Sequence, residues 1–492
     1  MPSPEIVNFG GNLRFRPEHY YEPRSEEEVL DILRRHSRGQ IRAAAALHSW
    51  SDLLIAADAV VCLKHFNAVT TQLDADGRTR VTVGAGCRIK RALKALRPLG
   101  VTLPAIGLIT EQFIAGAIAT GTHGSGNHSL GHYVAEVRLA AYDSQTGEPR
   151  VFTINNGDEL RAARCHLGCL GLILSVSFCA RPEYHVGETN VRCASLADVL
   201  AREADHPLQH FFLVPHHWGY VVQQRRVVPP VEHPLYRFDM WTYLVGWFIT
   251  MDVGLHLAFK LLVNVIKSRA LTRAFFRAAM PYLLLEDKIY IARSDRILTW
   301  EHELFRHMEI EMFVPRRHLA AAIEHIRAVV TVCDGSADPD PQVAARLQAA
   351  GLLDGLLGIR GVFTHHYPIC TRRVLCDDTL ISMASGEGED WYAFSFITLE
   401  QPRDGFRKMA EYLAHSMRQL FGARPHWGKY FPLGTEEVCS VYPQLAEFDA
   451  ICRRFDPHGV FQNDFTRQVL GRTAVAAELP DAVRAKVALA GK

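Results

Sequence analysis

The chain has 492 residues, of which 48% are hydrophobic and 22% charged, values typical of a globular protein with room for two or three domains. A net charge of +1 argues against a nucleic-acid-binding surface. Eleven cysteines, an odd number with no C-x-x-C pair, predict free thiols in a reduced, cytoplasmic setting rather than a disulfide framework. The first residues lack the pattern of a secretory signal, so we expect none.

Strands and short helices alternate in the predicted structure up to about residue 180. Ser25 is expected to cap a helix over 26–36, with Glu28 completing a capping box. Such alternation is typical of an α/β or α+β domain. The other strands are predicted over 41–46, 58–63, 80–84, 134–142, 151–154 and 172–178, and the other helices over 89–99 and 159–167.

The stretch 101–131 is poor in charge and dense in small residues. Because missing side chains let a flat or charged ligand lie against backbone N–H groups, it predicts a cradle for a pyrophosphate and a ring system. The alternative is a tightly packed glycine-rich turn without a ligand. The glycines of this stretch are Gly107, Gly116, Gly121, Gly124, Gly126 and Gly131.

Residues 240–265 are strongly apolar but are interrupted by Asp252, His256 and Lys260. A membrane-spanning helix needs about 20 mainly apolar residues, and a carboxylate near the middle argues against one. Two interpretations stay open, namely buried helices of a cap domain and a surface helix that lies on a membrane. The second is supported by basic residues in and after the segment: Lys260, Lys267, Arg269, Arg273 and Arg277.

The remainder of the chain is again of mixed type. A strand is predicted over 309–315, a helix over 317–330, and two paired strands over 370–380 and 391–398. A helix over 406–420 precedes a loop over 424–431 that is rich in functional side chains. The tail beyond Gly471 is predicted to be a peripheral helix.

Three basic side chains are candidates for chemistry. His48 could be a general base, a metal ligand, a covalent anchor or a packed core residue, and a metal is not expected because no second ligand stands at a suitable spacing. His426 and Lys429 lie three residues apart. A lysine near a flat electron acceptor stabilises developing negative charge, whereas the alternative is a solvated surface pair.

Arg372 is the fourth candidate. Its guanidinium could bind a hydroxylated or carbonyl substrate through two hydrogen bonds, or it could form a structural ion pair with Asp377 or Asp378. A cradle of small residues combined with these basic groups indicates a redox cofactor.

Nine short motifs carry a resemblance to a known family. They are NFGGN (8–12), HS (48–49), VGAG (83–86), GAIATGTHGSG (116–126), LGCLGLI (167–173), EIEMFVP (309–315), RRVLCDD (372–378), HWGK (426–429) and FDPHGVFQND (455–464). Together they resemble the FAD-linked oxidases of the vanillyl-alcohol oxidase superfamily, in the aldonolactone and alditol oxidase branch. The implied fold is α+β, with a two-subdomain, non-Rossmann FAD-binding domain and an α/β substrate cap domain. No G-x-G-x-x-G opens a βαβ unit here, which agrees with that fold.

The resemblance implies FAD as cofactor and His48 as the histidine that often bonds covalently to the flavin. The family usually has glycines just before that histidine, and here the residues are Ala45 and Leu47. The implied domains are an FAD-binding domain over 1–180, a cap domain over 181–405, a return segment over 406–470 and a tail over 471–492. The implied cofactor-binding residues are Ala43, Ala44, Ala45, Ala46, Leu47, His48, Ser49, Gly107, Leu108, Phe113, Gly116, Ala117, Ile118, Ala119, Ile173, His426 and Lys429.

The resemblance also implies the catalytic and substrate residues. Lys429 would lie over flavin N1, where its charge favours hydride acceptance, and would touch the substrate hydroxyl. The family's Glu-x-Arg reads Cys370-Thr-Arg372 here, Ser395 replaces a histidine and Leu108 replaces a serine. These changes favour a less polar or differently shaped substrate than a simple alditol. The implied catalytic set is Lys429, His426 and Arg372, and the implied substrate set is Cys370, Arg372, Ser395 and Lys429.

The sequence therefore predicts FAD-dependent oxidation of an alcohol group of a sugar-1,4-lactone, with D-arabinono-1,4-lactone first, or else of an alditol. Gly107, where a related plant dehydrogenase has alanine, favours O₂ as electron acceptor and H₂O₂ as product. The alternatives are a lipid- or sterol-like alcohol substrate and a flavin scaffold without activity. No metal and no nucleic acid are expected. The predicted location is cytoplasmic, with peripheral membrane association through 240–280 as an open option.

Overall fold

The structure is a computed structural model that describes residues 3–230, 234–283, 288–299, 306–401 and 403–472, with the backbone alone for 234–240 and 250–252. The predicted peripheral tail lies outside the described residues from 473 onward. Helices and strands are mixed along the chain, which confirms the predicted α+β class.

Two small sheets of three and five strands are built by the first part of the chain, beside the two-stranded sheets β1-β2 and β8-β12. One is parallel, in the order β3-β5-β4, and one is antiparallel, in the order β10-β9-β11-β7-β6, with ranges as follows. The strands are β1 (Ile6–Val7), β2 (Arg14–Phe15), β3 (His19–Tyr21), β4 (Ile41–Ala44), β5 (Ala59–Cys62), β6 (Val69–Leu73), β7 (Thr79–Gly84), β8 (Val101–Thr102), β9 (Val134–Tyr142), β10 (Pro149–Ile154), β11 (Leu172–Cys179) and β12 (Arg181–Pro182). The helices are α1 (Glu26–Arg35), α2 (Ile89–Leu96), α3 (Ile114–Ala119) and α4 (Gly157–Ala163).

Helix α1 shows how local sequence sets these elements. The Ser25 hydroxyl accepts a hydrogen bond from the Glu28 N–H at 3.2 Å, as an N-cap should. The Glu28 carboxylate accepts from the N–H of Arg24 at 2.7 Å, so the reciprocal bond closes one residue earlier than predicted. The buried side of the helix, with Val29 and Leu33, packs into the core.

An eight-stranded antiparallel sheet dominates the middle of the chain. Its order is β16-β13-β15-β14-β18-β19-β17-β20. The strands are β13 (His185–Cys193), β14 (His210–Leu213), β15 (Tyr220–Val228), β16 (Tyr290–Arg293), β17 (His307–Pro315), β18 (Ile369–Val374), β19 (Trp391–Leu399) and β20 (Arg424–Pro425). The helices of this and the return part are α5 (Leu196–Ala201), α6 (Pro234–Trp247), α7 (His256–Phe259), α8 (Arg269–Ala278), α9 (Ser294–Ile297), α10 (Leu319–Asp334), α11 (Pro341–Ala349), α12 (Leu353–Gly358), α13 (Asp404–Phe421), α14 (Thr435–Val441), α15 (Leu445–Phe455) and α16 (Asp464–Val469).

The register of this sheet places four residues in one row. Glu311 on β17 is paired with Ser395 on β19, Ser395 with Cys370 on β18, and Cys370 with Phe212 on β14. Side chains alternate along a strand, so Glu309 lies on the same side of β17 as Glu311. Because β20 pairs with β17, the chain's return brings the loop after Arg424 beside these carboxylates.

Strand β18 ends at Val374, six residues earlier than predicted. The chain turns there around the buried Asp377, whose carboxylate accepts hydrogen bonds from the Thr379 and Ser382 hydroxyls at 2.6 and 2.7 Å. A side chain that gathers local donors in this way stabilises a turn over an extended strand.

Residues 234–266 form one continuous helical rod, here called the cap helix, which consists of α6, a π-helical stretch over 248–255, α7 and a second π-helical stretch over 260–266. Phe259 is fully buried, whereas Leu257 and Leu261 are about half exposed. The interpretation as wholly buried cap-domain helices is therefore wrong for one side of this rod. Within the described residues, no helix has the length and apolar character needed to cross a membrane.

Candidate active site

A cavity of about 420 Å³ lies between the small sheets and the large sheet. Its floor is a cradle of small residues: the loop after β4 faces helix α3, and a Cβ added at Gly116 would lie only 3.0 Å from the Cβ of Ala45. Larger side chains at either place would close the gap. The predicted cofactor-binding residues that line the cavity are Ala43, Ala44, Ala45, Ala46, Leu47, His48, Ser49, Leu108, Phe113, Gly116, Ala117, Ala119, Ile173, His426 and Lys429.

Two predicted cofactor-binding residues are not on the cavity wall. Ile118 is fully buried in the core on the inner side of α3. Gly107 stands behind the wall, where an added Cβ would lie 2.8 Å from the methyl group of Thr122 and 3.4 Å from the carbonyl oxygen of His123.

The loop that carries His48 keeps a backbone shape that normally favours glycine. Leu47 has a φ of 61°, in the left-handed region that is uncommon for a leucine. This is one of the two positions where the resembled family usually has glycine, so the turn persists although the side chain differs. The His48 ring is stacked on Phe9 with centroids 5.3 Å apart, and it lines the cavity.

His166 is a cavity residue that the sequence analysis did not identify. It is almost fully buried, and neither ring nitrogen has a hydrogen-bond partner among the residues that the structure describes. Burial, with the charge of Arg42 as a smaller cause, lowers the pKa of His166 to about 3, so the ring is neutral. An unpaired buried polar group costs about 1–3 kcal/mol, so a polar ligand in the cradle would satisfy it.

Lys429 and His426 are not a solvated surface pair. The Lys429 ammonium forms an ion pair with Glu309 and lies 4.2 Å from the centroid of the Trp50 ring. The loop is attached to β17 through backbone hydrogen bonds of 2.9 Å, from the His426 N–H to the Glu311 carbonyl and from the Tyr430 N–H to the Glu309 carbonyl. The strand therefore places both basic groups at one end of the cavity.

Glu311 is the centre of the polar end. One carboxylate oxygen lies 3.1 Å from the Arg372 guanidinium and accepts a hydrogen bond of 2.9 Å from the Ser395 hydroxyl. The other lies 3.4 Å from Nε2 of His123. Burial raises the pKa of Glu311, but the charge and hydrogen bond of His123 and the charge of Arg372 outweigh it and hold this pKa well below its usual range.

His426 is neutral in this environment. Burial is the main cause that lowers its pKa to about 3, with Lys429 among the cations that add to the shift. Its Nδ1 accepts a hydrogen bond of 2.9 Å from the Gly428 N–H. The neutral ring therefore carries its proton on Nε2 and can donate from there.

Arg372 forms an ion pair, but the predicted partners Asp377 and Asp378 are wrong. Asp377 is occupied by the Ser129 hydroxyl at 2.8 Å and by its own turn, and Asp378 pairs with Arg164 at 3.0 Å. Arg372 instead pairs with Glu311, from a strand 61 residues away in sequence.

His123, Glu311 and His426 bring three potential metal-ligand atoms within 4.8 Å of one another. Sequence spacing did not predict this cluster. Arg372 already neutralises the carboxylate, and a guanidinium at 3.1 Å opposes a second cation there. We therefore interpret the cluster as a hydrogen-bonding network.

Away from this polar end the cavity wall is mainly apolar, although the polar side chains His210, His256 and Tyr367 also line it. The large sheet and the cap helix supply the side chains, and Cys370 lies in the row between them and Glu311. The apolar lining residues of this part are Phe212, Val214, Val221, Leu255, Met280 and Ile397.

Four functional candidates were missed by the sequence analysis: Glu309, Glu311, His123 and His166. The first two lie within the motif EIEMFVP and the third within GAIATGTHGSG, so both motifs were noticed but were read as anchors of the resemblance. The alternation Glu-x-Glu in a predicted strand was the available signal, because it places both carboxylates on one face.

Comparison with known proteins gives matches over most of the chain. A family model described as D-arabinono-1,4-lactone oxidase matches residues 177–469, and an FAD binding domain model matches residues 17–146. A long-chain alcohol oxidase from an uncultured marine euryarchaeote is 45% identical over 478 residues, which are 96% of this chain and 98% of that protein. An L-gulonolactone oxidase from Scyliorhinus torazame is 25% identical over 94% of this chain and 97% of its own length.

The crystal structure of a cholesterol oxidase from B. sterolicum matches with a TM-score of 0.69 and 15% identity, over 95% of this chain and 96% of that one, and so shows the shared fold. The cradle is narrow enough for a flat ring and contains an unsatisfied histidine, so it fits the FAD that the matched domain implies. The chain therefore belongs to the D-arabinono-1,4-lactone oxidase family and is an FAD-dependent oxidoreductase that acts on CH–OH groups.

Proposed function

We propose that this enzyme is an oxidase of alcohols that carry the CH–OH group on a long apolar body. The division of the cavity carries the proposal: basic groups stand at one end, and the rest of the wall offers side chains such as Phe212, Val221 and Ile397. Each unpaired buried hydroxyl of a polyol would cost about 1–3 kcal/mol against such a wall. The relative with 45% identity, named a long-chain alcohol oxidase, supports the same substrate class.

A sugar-1,4-lactone or an alditol is the second candidate. The description of the matched family model favours it, and so does the presence of Arg372, Ser395 and Glu311 together at the polar end. This end has room for the reacting hydroxyl in either case, so the candidates differ in what the apolar part of the cavity accepts.

The residues at the polar end have distinct roles in the proposal. Arg372, held by Glu311, binds the substrate oxygen, and Nε2–H of the neutral His426 donates to it as well. Lys429 supplies positive charge beside the flavin, and its partner Glu309 can take the hydroxyl proton as the carbonyl forms. FAD, held by the cradle, would supply the acceptor for the hydride that leaves the carbinol carbon.

We also propose O₂ as the electron acceptor, FAD attachment through His48, and the domain division over 1–180, 181–405 and 406–470. The absence of a side chain at Gly107 supports O₂ as the electron acceptor, because the side chain of an alanine there would press on Thr122 and His123. The left-handed backbone at Leu47 supports FAD attachment through His48, since it keeps the loop that carries His48 in its turn conformation.

The test uses purified holoenzyme under anaerobic conditions with three substrates: dodecanol, xylitol and D-arabinono-1,4-lactone. Bleaching of the visible flavin absorbance by dodecanol alone is the expected result, followed by recovery and H₂O₂ formation when air is admitted. Bleaching by the lactone or xylitol alone would favour the second candidate. A flavin that none of the three reduces would contradict both candidates and favour the scaffold without activity.

A further inference from the structure

One side of the cap helix is apolar and faces outward. Its exposed side chains have 39–71% of their surface accessible, far more than large apolar side chains in a packed layer. An exposed apolar patch of this kind on a protein is typical of an interaction site. The members of this apolar face are Trp241, Leu244, Phe248, Ile249, Leu257, Leu261, Val265 and Ile266.

The opposite side of the same helix is already used. Leu255 and Phe259 are buried against α8 and the large sheet, and Trp247, Leu255 and His256 line the cavity. An apolar side of a helix needs cover, and the described residues cover one side of this helix only. The apolar face is therefore not explained by packing within the described chain.

The charge around the apolar face is mainly basic, with Asp252 as the one carboxylate within residues 241–283. Residues 253–283 contain no Asp or Glu and five basic residues. Lys267, at the end of the cap helix, is exposed, and so are Lys260, Arg269 and Arg277. Arg273 is less exposed, and it pairs with Asp334 at 2.8 Å. Exposed apolar side chains flanked by Lys and Arg are the pattern of a helix that lies in a lipid headgroup layer.

We propose that the apolar face docks on the surface of a lipid bilayer with anionic headgroups. A second copy of this chain fits the face less well, because the described side chains of residues 241–249 and 253–283 include no carboxylate that could pair with the basic residues of the other copy. Anionic lipid headgroups neutralise these basic residues instead. In this position the cap helix separates the bilayer on one side from the substrate cavity on the other.

Docking of the cap helix on a bilayer explains how an apolar alcohol reaches the enzyme, and this explanation rests on the proposed function. A long-chain alcohol partitions into the bilayer, and Trp247 and Leu255 of the docked helix lie on the cavity wall. The docking itself depends on no step of the reaction, so it can be tested without substrate.

The test is flotation of the holoenzyme with vesicles of phosphatidylcholine alone and of phosphatidylcholine with phosphatidylglycerol. We expect the wild type to float with the second and to float less with the first. The double variant Leu257→Gln/Leu261→Gln removes two exposed apolar side chains and should lower vesicle binding about tenfold or more. Leu73→Gln is the matched control, because Leu73 is 73% exposed on β6, outside the apolar face.

Three results would overturn the docking proposal. The wild type could stay with the aqueous fraction for both vesicle types, or Leu73→Gln could lose as much binding as the double variant. Light scattering could also show a wild-type dimer that the double variant converts to a monomer, which would make a second copy the occupant. Retained flavin colour in every variant shows that each one is folded, and inactivity toward alcohols would leave the flotation result unchanged.

Discussion

Substitution of Glu311 by glutamine tests whether this carboxylate positions Arg372. The change keeps the size of the side chain and one carbonyl oxygen, but it removes the charge that faces the guanidinium at 3.1 Å. Glu311 is 2% exposed, so solvent does not screen the pair. The Ser395 hydroxyl can still donate to the amide oxygen, whereas the His123 contact loses its acceptor.

The expected cost in the free energy of unfolding is about 2–4 kcal/mol. Breaking a buried ion pair by removing one partner costs about 3–5 kcal/mol, and the hydrogen bonds that glutamine retains offset part of it. The lost interaction with Glu311 also orients Arg372, so we expect kcat/KM to fall about 10–100-fold. Each factor of ten corresponds to about 1.4 kcal/mol of transition-state stabilisation.

The stability difference should also depend on pH. A carboxylate whose folded-state pKa is depressed stabilises the protein above its unfolded pKa, about 4.3, and this contribution is lost as the pH falls through the folded pKa. Glutamine does not titrate. The difference between wild type and Glu311→Gln in urea unfolding should therefore be constant above about pH 5 and should shrink below about pH 4.

Glu203→Gln provides the control. Glu203 is equally buried and is paired with Arg316 and Arg373 at 2.6 and 3.1 Å, but it does not line the cavity. It should lose stability by a similar amount while kcat/KM stays within about twofold. The reasoning is refuted if both variants lose activity equally, or if the stability difference for Glu311→Gln is the same at neutral and at acid pH.

Three further changes test other parts of the cavity. His48→Ala should move the yellow colour from the acid-precipitated pellet, where covalent flavin remains, to the supernatant; colour in the wild-type supernatant would contradict the anchor. Gly107→Ala should slow reoxidation by O₂ about tenfold or more in stopped flow, with flavin reduction unchanged, because its methyl group presses on Thr122. His166→Leu should lower the flavin-to-protein absorbance ratio, whereas an unchanged ratio would mean that the ring makes no contact with the cofactor.

The cradle could be predicted from sequence because its chemistry is local. A run of small residues indicates an accessible backbone, and Gly116 and Ala45 lie close together as that pattern predicts. The HWGK loop was also recognisable as a motif. Its position was not predictable, because it depends on the pairing of a two-residue strand, β20, with β17, and so short a strand gives no periodic signal.

The polar end could not be predicted, since it depends on register between distant strands. Arg372 and Glu311 are 61 residues apart, and Glu311 meets Ser395 and Cys370 only because β17, β19 and β18 pair as they do. A shift of one residue in the pairing of β17 with β19 would turn Glu311 to the other face of the sheet. Periodicity predicts which residues share a face of one strand, but not which strands are neighbours.

The same row corrects what the sequence implied about the substrate. Cys370 stands where the family has glutamate, and this change was read as the loss of one of three polar contacts. Glu311, two strands along the row, supplies a carboxylate to Arg372, so the charge next to the guanidinium is retained. Farther out, Leu108 and the wall around Phe212 are apolar, although His210, His256 and Tyr367 also line the cavity. The polar end can therefore orient one hydroxyl group, and in the proposed function the apolar body of the substrate would lie against the rest of the wall.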